Sequence, residues 1–203
     1  MTDKGQPAAF LDRDGTLNVE VNYLHRIENF EWVPGAPEAI KRLNELGLPV
    51  LVVTNQAGVA HGHFPEEQIE RLHTFMQEEL AEIGARIDAF YYCPYHPEGE
   101  VEEYRKQSAC RKPNPGMFEQ AVGEWTVEPT RSFVVGDKNS DLIPGNALGM
   151  TTLRVRTGHD NQDEDDTVPD HVVPHVQAAV DAIERSYEET RVEREGNGGP
   201  SLC

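Results

Sequence analysis

The most informative segment of the chain is Ala8-Ala9-Phe10-Leu11-Asp12-Arg13-Asp14-Gly15-Thr16. It opens with a short apolar run, which is typical of a buried strand when turn residues follow it. Two carboxylates, Asp12 and Asp14, come directly after that run. Such a pair can divide the work between a nucleophile and a general acid and base. Gly15 permits a tight turn in which backbone N–H groups approach a phosphate, although Asp and Gly are also ordinary turn residues.

Apolar runs and helical periodicity alternate along the rest of the chain. Further strands are predicted at 49–53, 87–92, 132–135, 151–155 and 171–173. Helices are predicted at 37–46, 65–83, 115–122, 141–148 and 177–183. This alternation predicts an α/β fold that is doubly wound around a mainly parallel sheet. Ligands of such folds bind outside the carboxyl ends of the strands, where Asp12, Thr54 and Asp137 each follow an apolar run.

A single domain is predicted over residues 1–185. The segment 186–203 is charged and then Gly-rich, so it is predicted to be a disordered tail. An acidic linker is predicted at 161–167. No apolar run approaches the roughly 18 residues that span a bilayer, and the polar N-terminus lacks a signal-peptide apolar region. Three cysteines do not suggest a secreted disulfide framework, and a cytoplasmic location is predicted.

The charge balance is strongly acidic. Thirty-six acidic residues face eighteen basic ones, and the net charge is −18. This argues against nucleic acid or an anionic membrane as a partner. Only five of the eighteen basic residues are lysine. Two interpretations stay open: a halophilic source, in which the acidic surface keeps the protein solvated in concentrated salt, or an ordinary acidic protein whose tail inflates the count.

Three further short motifs follow predicted strands or close a long polar loop. In Thr54-Asn55-Gln56, a hydroxyl and backbone amides can hold a phosphoryl oxygen, although Thr-Asn is also a common turn or N-cap. Arg111-Lys112 places two cations at the end of the loop 93–111, where they are either a solvated pair or a collector of an anionic substrate. In Gly136-Asp137-Lys138-Asn139-Ser140-Asp141, the first aspartate is placed to bind a hard cation such as Mg²⁺, or to form an Asx turn. Asp141 is expected to anchor Lys112 or to support the metal from behind.

Taken together, these motifs resemble the haloacid dehalogenase (HAD) superfamily of phosphotransferases, and the match runs from about Phe10 to Val155. The resemblance implies a Mg²⁺-dependent phosphomonoester hydrolase that forms an aspartyl-phosphate. It implies Asp12 as nucleophile and Asp14 as general acid and base. The phosphoryl oxygens would be held by Thr54 and Lys112. The implied magnesium ligands are Asp12, Asp137 and the backbone carbonyl of Asp14.

Within that superfamily the chain looks most like the D-glycero-D-manno-heptose 1,7-bisphosphate phosphatases, which lack a large cap domain. The resemblance rests on residues 11–16, 54–58, 92–94 and 110–113. It implies a small phosphorylated sugar as substrate, and Arg111 as a grip on its second anionic group. The residues expected to bind substrate are Arg13, Glu20, Val21, Asn22, Tyr23, Asn55, Gln56, Arg111 and Lys138. A histidinol-phosphate phosphatase and a non-catalytic binding module are the alternatives, and a monomer is expected.

The loop 93–111 departs from the family pattern. That family holds the corresponding loop with zinc, through Cys-x-His at its start and Cys-x-Cys at its end. Here Tyr95 and Ser108 stand at two of the four ligand positions. At most Cys93, His96 and Cys110 remain as ligands, so we expect ordinary packing rather than zinc to hold this loop.

Overall fold

A computed structural model describes residues 5–158 and 168–196 of the protein. Six strands form one sheet, and every strand pair in it is parallel. The strand order is β3-β2-β1-β4-β5-β6. The strands are β1 (Ala9–Leu11), β2 (Val50–Asn55), β3 (Ala89–Cys93), β4 (Phe133–Gly136), β5 (Thr151–Val155) and β6 (His171–Val173).

Five α-helices connect or follow these strands in the described ranges. They are α1 (Ala36–Glu45), α2 (Glu66–Glu82), α3 (Gly116–Trp125), α4 (Asn139–Leu148) and α5 (Val176–Gly196). No helix in the described ranges is long and apolar enough to cross a membrane.

The sheet separates two apolar layers. On one face, α1 and α5 bury a large cluster that includes Ile40, Leu43 and Ile183. On the other face, α3 and α4 cover a cluster that includes Phe10 and Phe118, whose rings stack with centroids 5.2 Å apart. A strand that is buried on both faces has a largely continuous apolar sequence. This is why such strands can be predicted from the sequence.

The order of the strands changes direction next to β1, and this places a crevice at the carboxyl end of that strand. Leu11 of β1 lies between Val52 of β2 and Val135 of β4. The chain runs from β1 to β3 on one side of this point and from β4 to β6 on the other. A reversal of this kind is where open α/β sheets bind ligands, at the carboxyl edge.

The predicted α/β architecture is confirmed, and the sheet is parallel throughout. The C-terminal helix differs from the prediction, because α5 continues past Ile183 to Gly196. Part of the segment 186–203, expected to be a disordered tail, is therefore helical. The predicted linker 161–167 and residues 197–203 lie outside the described residues.

Candidate active site

The site begins where β1 ends. The N–H of Asp12 donates to the carbonyl of Val135 at 2.9 Å, which extends the sheet one residue beyond β1. Asp12 is 7% exposed and therefore faces the edge without being open to bulk water. Asp137 comes directly after β4, and Thr54 lies near the end of β2. The parallel sheet thus brings three distant parts of the sequence to one edge.

Lys112 joins these strand ends. Its ammonium group lies 2.6 Å from Asp12 Oδ1, 2.7 Å from Asp141 Oδ1 and 2.7 Å from the carbonyl of Val53. Burial alone would lower the pKa of Lys112, but the two carboxylates raise it above its ordinary value. Lys112 therefore keeps its charge inside the protein. Asp141 anchors it, which is one of the two roles expected for Asp141 from the sequence.

Three carboxylates form the acidic centre of the site. One oxygen from each of Asp12, Asp137 and Asp141 lies within 4.8 Å of the other two, the one such group of potential metal ligands among the described residues. Burial, and then the charges of neighbouring carboxylates, raise the pKa of Asp12 to about 7 and that of Asp137 to about 8. Crowded carboxylates of this kind need a cation to ionise together.

Asp137 provides the test of whether a divalent cation fits. It is 2% exposed, and neither of its carboxylate oxygens has a hydrogen-bond partner among the described residues. Both oxygens of Asp141, in contrast, have partners: Lys112 on one side and the backbone N–H of Lys138 on the other. The ammonium of Lys138 lies 3.7 Å from Asp137 Oδ2, an ion pair that is longer than a hydrogen bond. A buried carboxylate without hydrogen bonds is costly unless an ion or water completes it. The residues therefore fit a hard cation bound through Asp137.

Two glycines make room for the Asp137 carboxylate. A Cβ atom at Gly158 would lie 1.9 Å from Asp137 Oδ2, and one at Gly15 would lie 2.7 Å from the same atom. Gly15 also has a φ of +87°, in the left-handed region that favours glycine. The carboxylate is thus enclosed by backbone on two sides.

Asp14 is held by a different set of partners. Its two oxygens accept from the guanidinium of Arg13, with the shortest contact at 2.7 Å. Further hydrogen bonds come from Asn18 at 3.0 Å and Gln56 at 2.8 Å. Burial would raise the pKa of Asp14, but the charge of Arg13 and these hydrogen bonds lower it. In this arrangement Asp14 is an ionised carboxylate with a fixed orientation.

The residues after β2 position their neighbours. Gln56 Nε2 donates to Thr54 Oγ1 at 2.9 Å as well as to Asp14. The side chain of Asn55 makes two hydrogen bonds to the backbone of Lys112, each 3.0 Å long. The Thr-Asn-Gln motif therefore orients both the acid and the lysine, and it also faces the open side of the site.

A cavity of about 420 Å³ opens above these groups. The predicted site residues that line it are Asp12, Asp14, Glu20, Asn22, Tyr23, Thr54, Asn55, Gln56, Arg111, Lys112, Lys138 and Asp141. Two predicted substrate-binding residues do not reach it. Arg13 is 0% exposed, and its guanidinium is bound to the carboxylate of Asp14. Val21 is 38% exposed and does not line the cavity.

The cavity wall also holds residues that the motifs do not reveal. His61 and His96 line it, with ring centroids 4.8 Å apart. Tyr23 and His61 form another ring pair at 5.9 Å. Nothing in a single sequence brings these rings together, since His61 follows β2 and His96 belongs to the loop 93–111.

The sulfur atoms of Cys93 and Cys110 are paired as a disulfide, with Cα atoms 5.6 Å apart. This separation lies in the usual range for such a bond. The expectation that packing alone holds the loop is therefore corrected, because the bond joins its two ends. His96, considered as a third zinc ligand, instead lines the cavity and accepts at Nδ1 from the N–H of Glu98 at 3.1 Å.

Comparisons with known proteins agree with this geometry. A HAD-hydrolase-like family model matches residues 109–179. The D-glycero-beta-D-manno-heptose-1,7-bisphosphate 7-phosphatase of Escherichia coli O6:H1 strain CFT073 is 42% identical over 183 residues, covering 90% of this chain and 96% of that protein. The enzyme of the same name from Haemophilus ducreyi is 44% identical over 156 residues, covering 76% and 85%.

A solved structure allows the fold of the chain to be compared as well. The D,D-heptose 1,7-bisphosphate phosphatase of B. bronchiseptica, complexed with magnesium and phosphate, superposes with a TM-score of 0.79 at 28% identity. The match covers 89% of this chain and 99% of that one, and the described residues of this chain contain no large cap domain. The fold and the site define a HAD-like phosphatase. The chain belongs to the family of the D-glycero-D-manno-heptose-1,7-bisphosphate 7-phosphatases.

Proposed function

We propose that this enzyme removes the 7-phosphate of D-glycero-D-manno-heptose 1,7-bisphosphate, with Mg²⁺ and through an aspartyl-phosphate on Asp12. The observation that carries the proposal is the buried cluster of Asp12, Lys112, Asp137 and Asp141, the first, second and fourth of which line a polar cavity. The names of the relatives support the sugar, since those enzymes are heptose bisphosphate phosphatases.

Magnesium would be held by Asp12, Asp137 and the backbone carbonyl of Asp14. Oxygen ligands of this kind suit Mg²⁺, and the magnesium complex of the B. bronchiseptica enzyme supports the choice of metal. When bound, the ion neutralises charge on the carboxylates and on the phosphate. Asp137 is the ligand best supported by this chain's own geometry, because its buried oxygens accept no described hydrogen bond and its ion pair with Lys138 is long, at 3.7 Å.

Asp12 acts as the nucleophile. Its oxygen attacks phosphorus, the bond from phosphorus to the sugar oxygen breaks, and the phosphoryl group is carried as an aspartyl-phosphate. Lys112, which is already 2.6 Å from Asp12, offsets the negative charge that two anions bring together. Thr54, which lines the same cavity, provides a hydroxyl for a phosphoryl oxygen.

Asp14 transfers the protons. It gives a proton to the departing sugar oxygen, and then takes one from the water that hydrolyses the aspartyl-phosphate. In the substrate-free site Arg13 and the hydrogen bonds lower the pKa of Asp14, which suits the second step. The approach of an anionic phosphoryl group favours the protonated form, which suits the first.

Arg111 and Lys138 are the cavity cations left for the rest of the substrate. Arg111 lies on the wall formed by the loop 93–111, and its fork-shaped guanidinium suits a bidentate phosphate contact. Lys138 lies 3.4 Å from Glu20, so this pair can bind both a phosphate and a sugar hydroxyl. These contacts would select a substrate with a second anionic group.

Phosphate release with Mg²⁺ tests the proposal, with heptose 1,7-bisphosphate and histidinol phosphate as competing substrates. We expect kcat/KM to favour the bisphosphate at least about a hundredfold, equivalent to about 2.7 kcal/mol in the transition state. A preference for histidinol phosphate would overturn the sugar assignment and leave the chemistry in place. No release from either substrate or from p-nitrophenyl phosphate would overturn the chemistry.

A further inference from the structure

His73 is a buried titratable residue to which the mechanism gives no role. It lies on α2 and is 7% exposed. Its ring stacks on that of Phe90, with centroids 4.1 Å apart and planes inclined by 13°. It belongs to the apolar stripe of the helix, between Ile69 and Met76, where an aliphatic residue would pack as well. A polar ring at such a position requires a partner.

The partner is Arg13. Nη1 of Arg13 lies 3.3 Å from Nε2 of His73. A guanidinium only donates, so Nε2 is the acceptor and carries no proton. Burial first, and then the charge of Arg13, lower the pKa of His73 to about 3. The imidazole is therefore neutral, and its remaining proton is on Nδ1.

The other half of the Arg13 fork holds Asp14. Nη2 donates to both oxygens of Asp14, at 2.9 and 2.7 Å, and Nε donates to Oδ1 at 3.2 Å. Nη2 also lies 3.4 Å from the carbonyl of Leu24. A guanidinium is planar and rigid, so a contact at Nη1 sets the plane in which Nε and Nη2 meet the carboxylate.

We propose that His73 is a positioning residue for Asp14, acting through the Arg13 guanidinium. The inference rests on the proposed function, in which Asp14 protonates the departing sugar oxygen. His73 touches no substrate. Its effect is to fix the orientation of the acid, and loss of an outer hydrogen-bond partner at such sites typically costs about 10- to 100-fold.

The test uses the leaving group. A sugar alkoxide needs a proton as it departs, whereas p-nitrophenolate leaves without one. The kinetic constant kcat/KM reports the first half-reaction, in which this difference appears. In His73→Leu, we expect kcat/KM for heptose 1,7-bisphosphate to fall at least about tenfold, and that for p-nitrophenyl phosphate to change less than about threefold.

Two further variants separate positioning from stability. His73→Gln keeps an acceptor near the Nε2 position and should restore kcat/KM for the bisphosphate to within about threefold of wild type. Met76→Leu alters the same buried stripe one turn away and should leave both substrates unaffected. Equal losses on the two substrates, or no rescue by glutamine, would overturn the inference. The proposed function would stand as long as the wild-type enzyme hydrolyses the bisphosphate.

A measurement on the wild-type protein covers the case in which the leucine variant fails to fold. The ¹⁵N shifts of the His73 ring at neutral pH report which nitrogen carries the proton. We expect a protonated Nδ1 and an unprotonated Nε2. A proton on Nε2 would remove the hydrogen bond from Arg13 and sink the inference.

Discussion

At the level of single residues, Lys112 and Asp137 have complementary roles in the site. Lys112 is surrounded by the oxygens of Asp12, Asp141 and Val53, so its position is fixed before substrate arrives. Asp137 is equally buried, but its oxygens accept no described hydrogen bond, and the ammonium of Lys138 is 3.7 Å from Oδ2. Lys112 supplies a cation from the chain itself, and Asp137 is proposed to bind an added one. Preorganised charge of this kind does not have to reorganise during reaction.

Gly158 gives a way to test the metal site without removing a ligand. In Gly158→Ala the new methyl group would overlap Asp137 Oδ2 and displace the carboxylate. We expect the Mg²⁺ concentration for half-maximal activity to rise at least about tenfold, as measured by titrating activity with MgCl₂. Gly123→Ala is the control, because a Cβ atom there meets nothing within 4 Å. An unchanged Mg²⁺ requirement in Gly158→Ala would contradict the assignment of Asp137 as a ligand.

Among the elements, the loop 93–111 and the strand before it are both attached to α2 through one carboxylate. Glu66 accepts a hydrogen bond from the hydroxyl of Tyr92, in β3, at 2.8 Å and another from that of Tyr104, in the loop, at 2.7 Å. This loop carries His96 and Arg111 to the cavity wall. Glu66 therefore links the first turn of a helix to the shape of the substrate pocket.

Glu66→Ala should loosen that wall. We expect KM for the bisphosphate to rise several-fold, by about 1 kcal/mol of lost binding, because two hydrogen bonds to a charged acceptor disappear. The kcat for p-nitrophenyl phosphate should stay near wild type. Glu67→Ala removes an exposed carboxylate from the same helical turn and controls for the helix dipole. If Glu67→Ala raised KM as much as Glu66→Ala did, the hydrogen bonds from Tyr92 and Tyr104 would not be the cause.

The elements also show what a single sequence can and cannot predict. The bounds of β5 and β6 are found as predicted, because each segment is rich in β-branched residues and lies between turn residues. The extension of α5 beyond Ile183 was missed, since a charged segment before a Gly-rich end resembles a disordered tail.

In the site, the order of the motifs along the chain was enough to predict that Asp12, Lys112 and Asp137 lie close together. It was not enough to show that Arg13 points inward, because an arginine between two active-site aspartates can face either way. The sequence did contain a signal for His73. This residue falls on the apolar stripe of α2, where a histidine needs a partner. The Cys93–Cys110 pairing depends on a distance that spacing alone does not give.

For the whole molecule, the strand order explains why residues far apart in sequence form one site. The net charge of −18 does not bear on how the site is formed. It bears on the solution conditions under which the protein is stable. Monomeric state and cytoplasmic location stay predictions from the sequence.

The net charge of −18 predicts a dependence on salt. Self-repulsion of like charges destabilises the compact state, and salt screens it, with a Debye length of about 3 Å at 1 M. We expect the Tm to rise as KCl increases from the millimolar to the molar range, and not to rise comparably in sucrose of matched osmolality. A Tm that does not change with KCl would contradict a role for this repulsion, and full stability in dilute buffer would count against a halophilic source.

The proposed mechanism requires the phosphoryl group to pass through Asp12. It is tested by acid-quenching Asp14→Asn during turnover of p-nitrophenyl phosphate, reducing with borohydride and locating the product by mass spectrometry. The slowed hydrolysis in this variant should let the aspartyl-phosphate accumulate, so residue 12 should be recovered as homoserine. Absence of homoserine at residue 12, together with activity of Asp12→Asn within about tenfold of wild type, would contradict the account.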